Sequence, residues 1–467
     1  LAAKTCRKVL QNVNLCVPLL CSIITSVPSH HPFPVHPNGF DHVKDLLKKL
    51  FGLGLSKDAI IAPHGAILTL GEDRRGVPHG TTRNANTLLL GASSRQRVER
   101  VIVPTLLRGT STSYIVDDPT GEVYDLTAAT RAKVGPVSRI RWHNGSSYNP
   151  LADINLGTDP ETRSRRLRNV AETFITQCPE GDDRFPEIKI HDGNDTIEQE
   201  AISALWGLLE LAIAQVANAG GLRLAEPTLM GLCTVLIEHR LDDKAGDYVV
   251  AADTSGSPRA LFELRAYAAL SDERRRVIHD AIVQRLAPFH APETSWASGD
   301  PRGQWAAHRT ISASEGVEIS GPATVYVCCP TRHGQHAAAY NLLTRLLWQQ
   351  IIDEAIHGRS EPTADKPQRP AVFIFTNTDQ AEPISGMTAL SAAAKKTDLS
   401  LLVSADDAAS LDRLYGPVNA EALKATMDLE LDFDPAATRF MVKGPEKPVL
   451  RPSQAMGSFL LPAPKDF

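Results

Sequence analysis

Short apolar runs of strand length recur along this chain, and the spacing between them leaves room for one helix each time. Residues 87–90 (TLLL), 113–116 (SYIV) and 137–142 read as buried strands, and residues 95–107 and 124–133 between them have helical spacing. The second strand stops at Asp117-Asp118-Pro119-Thr120-Gly121, a turn sequence that excludes strand continuation. After residue 160 the pattern changes. Helices are expected over 162–177 and 195–217, where Ile197, Ile202, Leu205, Leu208, Leu209, Leu211, Ile213 and Val216 line one long helical pattern. Further helices fit 227–239, 258–270 and 272–286, with no strand between 195 and 290. Strands return at 323–328, 371–375 and 399–403, alternating with helices at 335–357, 388–396, 407–415 and 419–427. Strand–helix–strand units build parallel sheets through right-handed crossovers. The order therefore predicts an α/β fold: one sheet with helices on both faces, interrupted by an all-α insertion.

The 467 residues carry 42 % hydrophobic and 22 % charged side chains, a globular balance that excludes a disordered or multi-spanning chain. A net charge of −5 leaves no global basic footprint, so contact with nucleic acid would need a local basic surface. The seven cysteines include no CxxC pair, and Cys328 and Cys329 sit inside an apolar run. They read as reduced thiols of a cytosolic compartment. Lys4, Arg7 and Lys8 precede a mostly apolar stretch over 13–27, shorter than the ~20 residues of a membrane span. It is a candidate remnant of a membrane anchor, or a local helix or docked tail. Residues 28–42 form a Pro- and His-rich linker. Its His30, His31, His36 and His42 lack the accompanying carboxylates or thiolates of a metal site. A helix is expected over 41–55, and strand-like pieces at 59–61 and 66–70.

Several phrases now fall into a shared order. Ile102-Val103-Pro104-Thr105-Leu106-Leu107 is followed by Asp118-Pro119-Thr120-Gly121-Glu122, then Tyr148-Asn149-Pro150-Leu151, His191–Asp195, Ala260–Arg275, Leu286–Phe289, Gly321–Pro330 and Leu411–Gly416. This series, in register from residue 40 to 435, resembles the TraG-type coupling proteins of conjugation and type IV secretion. The resemblance implies a RecA-like P-loop ATPase fold and a hexameric motor at the cytoplasmic face of the inner membrane. An all-α domain would receive relaxase–DNA or effector proteins. ATP and Mg²⁺ are the implied cofactors, and single-stranded DNA and secretion-channel components are further implied partners.

The departures from that family fall on the chemistry. By alignment on the Pro104-Thr105 phrase, the phosphate loop is Gly91, Ala92, Ser93, Ser94, Arg95, Gln96, Arg97 and Val98. Gln96 stands at a glycine position and Arg97 at that of the lysine. A phosphate loop needs glycines so that consecutive N–H groups can wrap the anion, and a compact ammonium to reach it. A planar guanidinium is not equivalent. Where the family ends a strand in two carboxylates, the strand over 371–375 runs into Thr376 and Asn377, neither of which is a base near neutral pH. Asp379 lies two or three positions too far along. Ser404-Ala405-Asp406-Asp407 replaces the sensor glutamine run, and Thr120 a lysine. Asp118 and Glu122 complete the candidate nucleotide-binding set.

Other groups carry weaker signals. His333 and His336 form an HxxH without a third ligand, and no GxSxG elbow occurs. Arg163, Arg165, Arg166 and Arg168, and the run from Arg274 to Arg276, could meet phosphates or form solvated helix faces. Trp206, Trp296, Trp305 and Trp348 read as packing residues. The expected organisation is an N-terminal segment over 1–40, a nucleotide-binding domain over 41–190 and 316–440, the helical insertion over 191–315, and a tail over 441–467. The function expected from the resemblance is recruitment of substrate to a secretion channel. The alternative is a catalytically inactive homologue serving as a scaffold or mixed-ring subunit.

Overall fold

The computed structural model describes residues 68–72, 78–81, 85–142, 148–151, 154, 159–176, 195–218, 228–289, 322–329, 337–357, 370–376, 383–384, 386–394, 396–397, 399–434 and 439–443. The chain divides at Lys57, and all of these residues belong to the unit from Asp58 to Phe467. The expected helix over 41–55, the apolar stretch over 13–27, the histidine-rich linker, His333 and His336, and Trp296 and Trp305 lie outside them.

The sheet is built from β3 (Thr87–Leu90), β4 (Ser113–Asp117), β5 (Val137–Ile140), β6 (Thr324–Val327), β7 (Ala371–Phe375), β8 (Leu399–Ala405), β9 (Leu429–Asp434) and β10 (Arg439–Lys443). Its spatial order is β10-β9-β3-β8-β7-β4-β6-β5. Seven strands run parallel, and β10 pairs antiparallel with β9 at one edge. A separate antiparallel pair joins β1 (Leu68–Glu72) to β2 (Pro78–Thr81). Sequence patterning anticipates β3 to β8 but not β2, β9 or β10.

Strand periodicity sorts the core into two layers. Leu88, Leu90, Ile115, Phe373, Phe375, Leu401 and Val403 face one way, while Leu89, Tyr114, Val116, Val372, Ile374 and Leu402 face the other. The second face is covered by α1 (residues 94–108) and by α2 (Glu122–Arg131). Helix α1 opens at Ser94–Arg97, widens into a π turn over Val98–Ile102, and closes as Val103–Arg108. Pro104 cannot donate a helical hydrogen bond, and the widened turn directly precedes it.

The first face carries α3 (Pro160–Thr176), α9 (Ala337–His357) and α10 (Met387–Ala394). The same continuous apolar cluster takes in α4 (Asp195–Asn218), α5 (Leu229–Glu238), α6 (Ala245–Ser255), α7 (Pro258–Ala268) and α8 (Asp272–Leu286). No strand occurs among the described residues from 195 to 289. Thr228, Ser257 and Ser271 cap α5, α7 and α8 by accepting the backbone N–H three residues on. The chain closes with α11 (Ala408–Tyr415) and α12 (Pro417–Ala425). No described helix is long and apolar enough to cross a membrane.

Candidate functional site at the carboxyl edge of the sheet

In parallel sheets, ligands collect where the strands end and the chain turns into helices. Two such turns, after β3 and after β4, bring the sequence-identified residues to this edge.

After β3 the backbone takes two left-handed steps, at Gly91 (φ 75°) and Ala92 (φ 61°). The second is costly for a residue with a Cβ. Ser93 then caps α1 in a reciprocal box: the Gln96 backbone N–H donates to Ser93 Oγ at 3.3 Å, and the Ser93 N–H donates to Gln96 Oε1 at 3.1 Å. Gln96, standing at the family's glycine position, is therefore the partner that closes the cap. The double left-handed step turns the Gly91 and Ala92 carbonyls toward Arg97. Its Nη1 donates to Ala92 O (2.9 Å) and Gly91 O (3.2 Å), and pairs with Asp406 Oδ1 at 2.7 Å. Its Nε donates to Ser404 Oγ at 2.9 Å. The Arg97 side chain is 0 % exposed. The two residues at the replaced sensor run, Ser404 and Asp406, thus hold the residue at the lysine position. Arg95 is exposed and paired with Glu99 at 2.8 Å.

The turn after β4 has the opposite polarity. Asp118 Oδ2 accepts from the Tyr124 N–H at 2.8 Å, and Oδ1 from the Val123 N–H at 3.3 Å, so a buried carboxylate caps α2. Burial raises its pKa despite these bonds. Gly121 takes φ 79°, a left-handed conformation that favours glycine. Glu122 at the start of α2 is half-buried. Burial raises its pKa, the charge of Arg95 opposes this, and Glu99 and Asp118 add to it. Asp117 points to the other face of the sheet. Burial first, and then the charge of Asp118, push its carboxyl up to about 7, and its Oδ2 has no hydrogen-bond partner.

On the neighbouring strand β7, Asp117 stands in register with Phe375. The next residue, Thr376, donates its hydroxyl to Asp117 O at 2.8 Å. Asn377 and Asp379 lie outside the described residues. No group of three or more potential metal ligands occurs among the described residues.

A magnesium–triphosphate would need inward-facing N–H groups, a reachable cation and a carboxylate at the end of β7. The residues here do not fit it. The loop turns two carbonyls inward, and the N–H groups of Gly91, Ser93, Gln96 and Arg97 are all bonded within the protein. Thr376 is spent on a backbone carbonyl. Glu99 and Glu122 interact with Arg95 and Asp406 with Arg97, and the charge of Asp118 acts on Glu122.

Several of the clustered arginines are paired within the chain. Arg165 and Arg166 bind Asp353 of α9, and Arg166 also binds Glu354. Arg168 pairs with Glu172, and Arg274 with Glu200. Arg275 donates to the Ala268 and Leu270 carbonyls at the end of α7. Trp348 packs 5.3 Å from the Phe375 ring, and Trp206 lies under Arg259 at 4.6 Å.

A parallel sheet covered on both faces, with a strand–turn–helix at the position of a phosphate loop, is the RecA-like P-loop architecture. The model of the family described as type IV secretory system conjugative DNA transfer matches residues 59–298. The chain belongs to that family, as a TraG-type coupling protein. Its fold is similar to that of the bacterial conjugative coupling protein TrwB in its unbound form (15 % identity, TM-score 0.50, covering 79 % of this chain and 75 % of that one). It is similar to TrwB solved with ADP and Mg²⁺ as well (16 % identity, TM-score 0.50, covering 79 % and 76 %). No curated protein matches the chain.

Proposed function

We propose that this chain recruits a transfer substrate, relaxase-bound DNA or an effector protein, to a type IV secretion channel and acts by protein contacts without hydrolysing ATP. The observation that carries the reading is the end of β7. There the hydroxyl of Thr376 is bonded to the Asp117 backbone in the place where a hydrolase would hold its metal and water. TrwB binds ADP and Mg²⁺ on a similar fold, so the scaffold is one that can carry nucleotide when the side chains suit it. The helices over 191–315 are the proposed docking region, either in a homo-hexamer or beside active subunits in a mixed ring. The proposed location is the cytoplasmic face of the bacterial inner membrane.

The test is ATP turnover by the full chain with Mg²⁺, with and without single-stranded DNA, alongside co-purification with the secretion substrate. The expected result is no turnover above a blank and retained substrate capture. DNA-stimulated turnover would sink the reading. Loss of substrate capture on replacing the helical segment's exposed residues Val250 and Phe262 with serine would place docking there.

A further inference from the structure

We propose that the β3–α1 turn is a guanidinium receptor with Arg97 as its built-in ligand, and that it excludes phosphate from the position a nucleotide-binding turn would offer. This deepens the reading of a non-hydrolysing site and rests on it.

The receptor consists of Gly91 O, Ala92 O, Ser404 Oγ and Asp406 Oδ1, all within 3.2 Å of the Arg97 guanidinium. Three of these acceptors meet Nη1 and Ser404 Oγ meets Nε, while Nη2 takes none of the four; a guanidinium presents both nitrogens at once from one plane, and a point ammonium does not. Nothing in this set presents a fixed donor to an anion. The Gly91 N–H, which could have done so, donates to Asp406 O at 2.9 Å. The left-handed Ala92 supports the same conclusion. A backbone conformation costing of order 1 kcal/mol persists where the surroundings over-determine it. Here the over-determining contact is the bond from its carbonyl to Arg97.

A related arrangement is found at Arg131, away from this edge. Arg131 is fully buried, with Leu106 O, Gly109 O, Thr112 O and Thr324 Oγ1 as acceptors. There carbonyls from the turn that ends α1 and one strand hydroxyl surround the guanidinium, where Arg97 takes its carbonyls from the turn that precedes α1. Arg97 sits in a similar cradle, in which a carboxylate takes the place of one carbonyl.

The experiment uses the full chain and its Arg97→Ala variant, with thermal unfolding followed in the presence of millimolar methylguanidinium, ammonium or Mg²⁺–pyrophosphate. The variant should melt several degrees lower. Methylguanidinium should restore most of that loss, ammonium little, and pyrophosphate none. The unaltered chain should ignore all three. Stabilisation of either protein by pyrophosphate overturns the proposal, and so does methylguanidinium that acts no better than ammonium. If Arg97→Ala does not fold, amide exchange decides the matter. Asp406→Asn should speed exchange of the Gly91 to Arg97 amides at least tenfold, and pyrophosphate should leave it unchanged. Protection by pyrophosphate, or exchange unaltered in Asp406→Asn, sinks the idea. The two readings fail differently: phosphate binding without turnover removes the receptor and leaves the proposed function, whereas ATP turnover removes both.

Discussion

The turns after β3 and β4 leave the same edge of the same sheet, yet they hold opposite charges. The first wraps carbonyls around a buried cation, Arg97. The second points the N–H groups of α2 at a buried carboxylate, Asp118. A strand–turn–helix is by default an anion site, because the helix N-terminus leaves its N–H groups unpaired. The β4 turn keeps that polarity and fills it with its own side chain. The β3 turn loses it through two left-handed residues and a cap that consumes its N–H groups. Filling a site from within removes it from solution chemistry whichever sign it carries.

The contrast can be broken most forcefully at Arg97. Arg97→Ala leaves carbonyls and a carboxylate facing a void, and should cost about 3 kcal/mol in urea unfolding. Arg97→Lys should recover less than half, since one ammonium cannot replace both the Nη1 contacts and the Nε bond to Ser404. A near-neutral Arg97→Ala would mean the cradle does not hold the turn.

The next effect depends on pH. Asp117 is pushed up to about 7 from an ordinary 3.8. Between those values the unfolded chain has lost this proton and the folded chain keeps it, so stability falls as pH rises and levels off above about 7. Asp117→Asn should flatten that slope and, above about pH 7, raise stability by roughly 2 kcal/mol. An unchanged slope in the variant would show that another group titrates.

Asp118→Ala should cost about 1 kcal/mol, the ordinary worth of a helix cap, with hydrogen exchange accelerated at Val123 and Tyr124. An equal cost from Asp118→Asn would place the effect in the charge. The smallest expected change is Ala92→Gly. It relieves the left-handed step at the expense of backbone entropy, for a net gain of about 0.5 kcal/mol. A loss there would show that the methyl group packs.

Much of the sheet was legible in the sequence, because β3 and β7 are apolar runs bounded by turn residues and have the limits expected. The edge pair escaped. Leu429, Leu431 and Phe433 alternate with Glu430, Asp432 and Asp434, a period-2 signal hidden by its acids. Helix α6 escaped because Gly246 and the Thr254-Ser255 pair lower its propensity and its apolar residues bunch at 248–252. At the site, sequence order placed Arg97 at the lysine position but gave no sign of where its side chain goes. Its partners Ser404 and Asp406 are 307 and 309 residues away, and no local pattern encodes a contact of that span. The capping box of Ser93 and Gln96 was readable, since it needs only four residues.

The pairing of the strands also governs how the chain assembles on the ribosome. Among the described residues, β3 pairs with β8 and β9, β4 with β6 and β7, and β5 with β6. None of the three early strands can find a neighbour until the chain has been made past Thr324, and β3 must wait for Leu399. At 5–20 residues per second, β3 stays unpaired for roughly half a minute. During that time the helices α4 to α8 have all emerged, and the first apolar strand of the sheet must be kept from pairing with strands of other nascent chains.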